Sequence, residues 1–141
     1  MKQILFLCIA IFSLTACSSD DDEQIIATDI IVGTWQLESN FEAGDERSTE
    51  CTRQSTITFL ANGNSTNVDV EDGTNNNCET TNGSFSWENV GNANYKLDFG
   101  DGEVQTLKFT FLENNTKFSI VLKEAVVNGQ TLQEISTYKK I

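Results

Sequence analysis

The sequence predicts an all-β domain, an antiparallel up-and-down barrel of about eight strands. Three observations predict it. From Ile30 onward, apolar and polar residues alternate with period two over short stretches. Gly, Asn and Asp interrupt the alternation at short intervals, as tight turns require. Helical periodicity is weak throughout, apart from a short turn expected over residues 24–28.

The elements follow in order. Trp35, Leu37 and Phe41 share one face of a first strand. Ile57 and Phe59 mark a second, which ends at the turn Ala61-Asn62-Gly63, and a polar strand over residues 65–70 returns from it. Residues 71–82 read as a long polar loop holding Cys78. Phe85 and Trp87 face one way in the next strand, and Gly91-Asn92 turns the chain into Tyr95, Leu97 and Phe99. Gly100-Asp101-Gly102 is a strong tight-turn signal, because glycine takes positive φ without steric cost. Leu107, Phe109 and Phe111 then alternate with Lys108 and Thr110, and Asn114-Asn115 leads into Phe118, Ile120 and Leu122. Asn128-Gly129 turns into a last strand over residues 131–140. Closing such a meander into a barrel removes its exposed edges. An eight-strand barrel has room for side chains or for one small ligand, and roughly fifteen inward candidates, many aromatic, leave a filled interior and a hollow one both open.

The N-terminus carries a separate message. Lys2 precedes an apolar run over residues 4–12, closed by Ser13 and Leu14. A positive start and a short apolar core mark a secretory signal, and the run is shorter than the roughly 20 residues of a membrane-spanning helix. Leu14-Thr15-Ala16-Cys17 resembles the lipobox of bacterial lipoproteins. That resemblance implies a signal peptide over residues 1–16, diacylglycerol on the Cys17 thiol, and cleavage just before it; the plainer reading is an ordinary secretory signal. Two or three acyl chains hold a protein on a membrane, whereas one does so only reversibly. Ser18-Ser19-Asp20-Asp21-Asp22-Glu23 opens an acidic tether over residues 17–29, extended by like-charge repulsion. The same residues resemble the export signal that displays some Gram-negative lipoproteins on the outer face of the outer membrane, so the expected location is that membrane, with cell-surface exposure.

Composition bounds the rest. Residues 30–141 suffice for one domain with one core. Without Lys2, eight basic residues face 21 acidic ones, a net charge of −13. Nucleic acid is excluded as a partner, since its binding rests on Lys and Arg against phosphate. The chain has no His and no Pro. Histidine-based catalytic triads and imidazole metal sites are therefore absent. Once Cys8 leaves with the signal and Cys17 carries lipid, Cys51 and Cys78 remain in an oxidising compartment. A disulfide between them is the simplest outcome; the rival is a reactive thiol, with no histidine to activate it.

Gly33-Thr34-Trp35 at the head of the first strand resembles the Gly-x-Trp signature of lipocalins. There the tryptophan plugs the closed end of the barrel beneath a basic residue of the last strand. Lys139 or Lys140 would take that place, where lipocalins typically use arginine. The ordered set of lipobox, acidic tether, Val32-Gly33-Thr34-Trp35, Thr58-Phe59 leading to Asn62-Gly63, two cysteines and a terminal Tyr138-Lys139 is similar to the lipocalin-like domain of small Gram-negative lipoproteins. The resemblance implies a lipocalin-like barrel, with Gly33 and Trp35 at the plug, and a small apolar ligand at the barrel mouth. Phe85, Trp87, Tyr95, Phe109 and Phe118 are the candidate lining. The alternative is a filled, non-catalytic barrel working through its loops, with an envelope protein as partner.

No enzyme chemistry is legible. Asp98, Glu88, Asp101 and Glu103 are acids at strand ends, and sequence sets no separation for the paired work of glycoside hydrolysis. Asp69-Val70-Glu71-Asp72-Gly73 fails the calcium-loop pattern, because Val68 and Val70 fall where oxygen ligands belong. Asp98-Phe99-Gly100 stands alone without other kinase motifs, and no phosphate-binding Gly-Lys loop occurs. No cofactor and no metal are expected.

Overall fold

The computed structural model describes residues 28–141. The signal peptide, Cys17 and the tether up to residue 27 lie outside the described residues. The strands are β1 (Gly33–Glu42), β2 (Asp45–Glu46), β3 (Thr56–Phe59), β4 (Asn64–Asp72), β5 (Cys78–Gly91), β6 (Asn94–Gly100), β7 (Glu103–Leu112), β8 (Lys117–Val127) and β9 (Gln130–Lys140). Every pairing is antiparallel. The order β1-β3-β4-β5-β6-β7-β8-β9 closes through β1–β9 into an eight-stranded barrel, and β2 is a two-residue flap on the end of β1. The turns fall where glycine and asparagine signalled them. At Asn128-Gly129 both residues take positive φ, 52° and 79°, the combination a two-residue hairpin needs to match strand twist.

Two sequence expectations fail: the bulge between Leu37 and Ser39 turns Phe41 off the face of Trp35 and Leu37 and leaves it exposed, and one polar stretch is more regular than expected. Of the polar loop expected over residues 71–82, only Gly73 to Asn77 connects strands, because β4 and β5 continue their ladder out to Asp72↔Cys78. Both faces of this hairpin tip meet water, so its Asn, Thr and Glu residues show no apolar alternation although the backbone pairs fully.

Three turns gather at one end with both chain ends, and four at the other. The chain's entry, the β3–β4, β5–β6 and β7–β8 turns and the end of β9 form the closed end, where Trp35 pairs with Lys140. The β1–β2, β4–β5, β6–β7 and β8–β9 turns form the mouth. The wall is not laced evenly. β8 and β9 pair from Lys117↔Lys139 out to Val127↔Gln130. β7 and β8 pair only over four positions, Leu112↔Lys117 to Phe109↔Ile120. Beyond Ile120 the two hairpins part, leaving a seam on the mouth side whose flanks expose Val104, Val121, Leu122, Val126 and Val127.

The core sits toward the closed end. Ile31, Trp35, Phe59, Tyr95, Leu97, Phe109, Phe118 and Ile120 are buried together. Period two selects them: Trp35 and Leu37 on β1, Tyr95 and Leu97 on β6, Phe118 and Ile120 on β8 each share a pleat face.

Candidate functional site

The closed end is built around Trp35, which is 0% exposed. Its indole N–H donates to the Ile31 carbonyl at 2.6 Å, so the one polar atom of the ring is satisfied inside the core. Lys140, not Lys139, provides the cation: its ammonium lies 5.0 Å from the Trp35 ring centroid and donates to the Ile30 carbonyl at 3.5 Å. Register decides between the two lysines, since Lys140 stands opposite Trp35 and Lys139 opposite Gln36. Gly33 is required beneath it. Its φ is +136°, and a Cβ there would lie 2.6 Å from Cε of Lys140.

Asp29 completes this end. One carboxylate oxygen accepts from the Tyr95 hydroxyl at 2.7 Å and the Ile31 N–H at 3.0 Å; the other accepts from Asn89 Nδ2 at 2.5 Å. Burial works against its ionisation, but the hydrogen bonds from Asn89, Ile31 and Tyr95 outweigh it and hold the carboxyl below its ordinary value. Burial and the bond to Asp29 push the Tyr95 hydroxyl upward.

The structure gathers the candidate lining mostly into this solid base. Tyr95, Phe109 and Phe118 are 1%, 2% and 0% exposed. Tyr95–Phe109, Phe109–Phe118 and Trp35–Phe118 ring centroids are each 4.8 Å apart, so these rings fill one another's space. Trp87 packs edge-on against Phe59, and its indole donates to the Leu60 and Asn64 carbonyls at 3.1 Å, fastening the β3–β4 turn. Phe85 packs on Phe59 and on Phe99, at 5.2 Å from the latter, and faces an open groove on the β5–β6 side with Ser84, Ser86 and Asp98.

A different set of residues surrounds the cavity at the mouth, of about 410 Å³. Its floor is Leu37 and Tyr138, and Tyr138 stacks on Phe118 at 5.1 Å, so the chamber begins where the aromatic base ends. Asn40 and Ser136 form one wall, with Asn40 Nδ2 donating to Ser136 Oγ at 2.9 Å. Asp69 and Val70 of β4 form another. Leu122 reaches in from the bulge on β8 where the ladder to β9 shifts register. Burial and the Asp69 carboxylate push the Tyr138 hydroxyl up to about 12.

The segment between β2 and β3 covers one side of the chamber with Ser48, Thr52 and Ser55. The Val70 N–H donates to Ser55 Oγ at 2.8 Å, and Thr49 Oγ1 donates to Asp72 at 3.1 Å. The Cys51–Cys78 disulfide, with Cα atoms 5.4 Å apart, ties the same segment to the start of β5. Neither thiol is therefore free in this form. Among the described residues no group of three or more His, Cys, Asp or Glu side chains is placed to hold a metal ion.

Sequence reasoning missed the chamber because its inner surface is polar. Asn67 and Asp69 continue the pleat face of buried Ser65, and Ser136 continues that of Tyr138. That parity was the available signal, but polar residues on a strand read first as solvent-facing.

Known proteins share this architecture. Residues 31–120 match the family model of the lipocalin-like domain. The chain belongs to the lipocalin-like domain family. In structure, this lipocalin-like chain is similar to a lipocalin-like protein from Bacteroides uniformis, with a TM-score of 0.51 at 13% identity over 79% of this chain and 99% of that one. It is also similar to lobster apocrustacyanin A1, with a TM-score of 0.46 at 12% identity over 84% of this chain and 64% of that one. No curated protein matches the sequence. At 13% identity the likeness to the Bacteroides uniformis protein speaks for the lipocalin-like fold alone.

Proposed function

We propose that this lipocalin-like protein is a non-catalytic cell-envelope lipoprotein that holds a small amphiphilic molecule in the chamber at its barrel mouth. The observation that carries this reading is the division of the barrel into an aromatic base, packed solid up to Phe118, and a chamber of about 410 Å³ above it. A cavity of that size falls in the range of small-molecule sites, although its lining is more polar than such sites usually are. Leu37, Leu122 and the Tyr138 ring offer apolar contact, while Asn40, Ser55 and Ser136 offer hydrogen bonds. The expected apolar lining thus becomes a mixed one, and the expected ligand an amphiphile with a polar end.

The anchor is Cys17, carrying lipid, and residues 18–28 are the acidic spacer that holds the barrel off the outer membrane, on the cell surface; Asp29, expected in the tether, belongs to the closed end of the barrel. This part of the reading rests on Leu14-Thr15-Ala16-Cys17 and the acidic run after it. A second reading has its own observation. Val104, Val121, Val126 and Val127 stand exposed along the seam between the β6–β7 and β8–β9 hairpins, and an apolar margin of that kind suits contact with an envelope protein.

Native mass spectrometry of the processed protein, purified from its own host, separates the two. A reproducible non-covalent mass, additional to the lipid on Cys17 and lost on denaturation, is the expected result. A bare protein in repeated preparations overturns ligand holding and leaves the seam as the working surface.

A further inference from the structure

The charges around the chamber say which amphiphile it takes, an inference that rests on the ligand-holding reading above. Three carboxylates, Asp69, Glu71 and Glu134, line the cavity against a single base, Arg47. That base is already engaged, with Glu42 at 3.4 Å and Asp45 at 3.8 Å, both outside the chamber. Glu134 is answered by Lys123 at 3.3 Å. Asp69 and Glu71 have no basic partner among the described residues; Asp69 is held only by the amide of Asn67. Half-buried Tyr138 borders the cavity with Asp69, and burial together with that carboxylate raises its hydroxyl. The Tyr138 ring forms the floor. An aromatic face next to an unanswered carboxylate is the pairing that stabilises an organic cation, through the ring quadrupole and the carboxylate together. A carboxylate or sulfate head in the same place meets Asp69 and Glu71 with like charge and no free base to answer it.

We propose that the mouth chamber selects amphiphiles with a cationic ammonium head, seated between the Tyr138 ring and the Asp69 carboxylate, and rejects those with an anionic head. The apolar remainder of the ligand lies against Leu37 and Leu122, and Leu122 stands at the point where the seam opens. The net negative charge of the whole chain, −12, draws such a cation toward the mouth and opposes the anion.

The test uses one tail and three heads: hexyltrimethylammonium, hexanoate and hexyl glucoside. Each is titrated calorimetrically into the processed protein held in phosphatidylcholine nanodiscs, with empty nanodiscs as the blank. The expected order is ammonium tightest, with a gap to hexanoate of roughly tenfold or more. Asp69→Asn narrows that gap severalfold while leaving the circular dichroism unchanged. If that variant does not fold, Glu71→Gln is read in its place. Hexanoate or the glucoside binding as tightly as the ammonium overturns the charge selection and leaves ligand holding intact. An unchanged gap in the folded variant also overturns it, because the cation then sits elsewhere. Failure of all three probes overturns the ligand-holding reading itself, and this inference with it.

Discussion

Asp29 gathers the Tyr95 hydroxyl, the Ile31 N–H and the Asn89 amide on one carboxylate, and only the ionised form accepts all three. Its carboxyl is held below the ordinary value, so the stabilisation it gives is fully present above the unfolded carboxyl's value, about 3.9, and is lost as pH falls through the folded one. Thermal melts in acid check this. The wild-type protein should lose melting temperature more steeply below about pH 4 than Asp29→Asn, which has no proton to take up there. Parallel slopes for the two proteins count against the assignment. At this scale the sequence was legible where neighbours in register carry the contact. Trp35 and a terminal lysine could be matched from motif and strand order, and the ladder chose Lys140 over Lys139. The Asp29–Tyr95 bond joins residues 66 apart across different elements, and no local pattern marks it.

Among the elements, the β4–β5 hairpin shows how polar sequence hides regular structure. Its outer half pairs from Asp69↔Thr81 to Asp72↔Cys78 with no apolar alternation to announce it. The ends of that hairpin are fixed by the disulfide to Cys51, across a sequence separation of 27. Loop closure over that span contributes about 3–4 kcal/mol by the chain-entropy model. Cys51→Ser with Cys78→Ser should therefore lower stability by about that amount in urea titrations run in parallel with the wild type. Addition of reductant should do the same to the wild type and nothing to the variant. Equal midpoints for the oxidised wild type and the double variant would show that the hairpin and the Thr52–Gln54 turn hold without the bridge. The turns were the most legible elements. Asn62-Gly63, Gly100-Asp101-Gly102 and Asn128-Gly129 each place a residue that tolerates positive φ where the chain reverses, and the structure reverses there. The two-residue β2 left no trace in the pattern, being shorter than one period of the alternation.

For the molecule as a whole, sequence could count the strands and predict their closure, but not the partition of the interior. A list of inward aromatic residues is equally compatible with a lining and with a plug. Only the packing shows that Tyr95, Phe109 and Phe118 occupy the space themselves. The chamber then falls to residues such as Asp69 and Ser136, polar side chains whose inward parity means little until the barrel is closed around them. Attachment belongs to this scale too, since the proposed anchor acts on the entire chain. Cys17→Ala should move the protein from the membrane pellet to the soluble fraction of lysed cells, as the acyl chains supply the binding energy. Persistence in the pellet would sink the lipid-anchor proposal.

The seam gives the mouth a mechanical character of its own. Four residue pairs join β7 to β8, as few as join β1 to β3 or β3 to β4, against the ten that join β8 to β9. Above Phe109↔Ile120 no paired position joins the two hairpin arms, so a separation there breaks no ladder hydrogen bond between them. On the proposed ligand-holding reading, the chamber would grip like a sprung clip and not like a drilled bore. Its aromatic base would set how deep the proposed guest descends, and the separation of the two ribbons how wide a guest it admits.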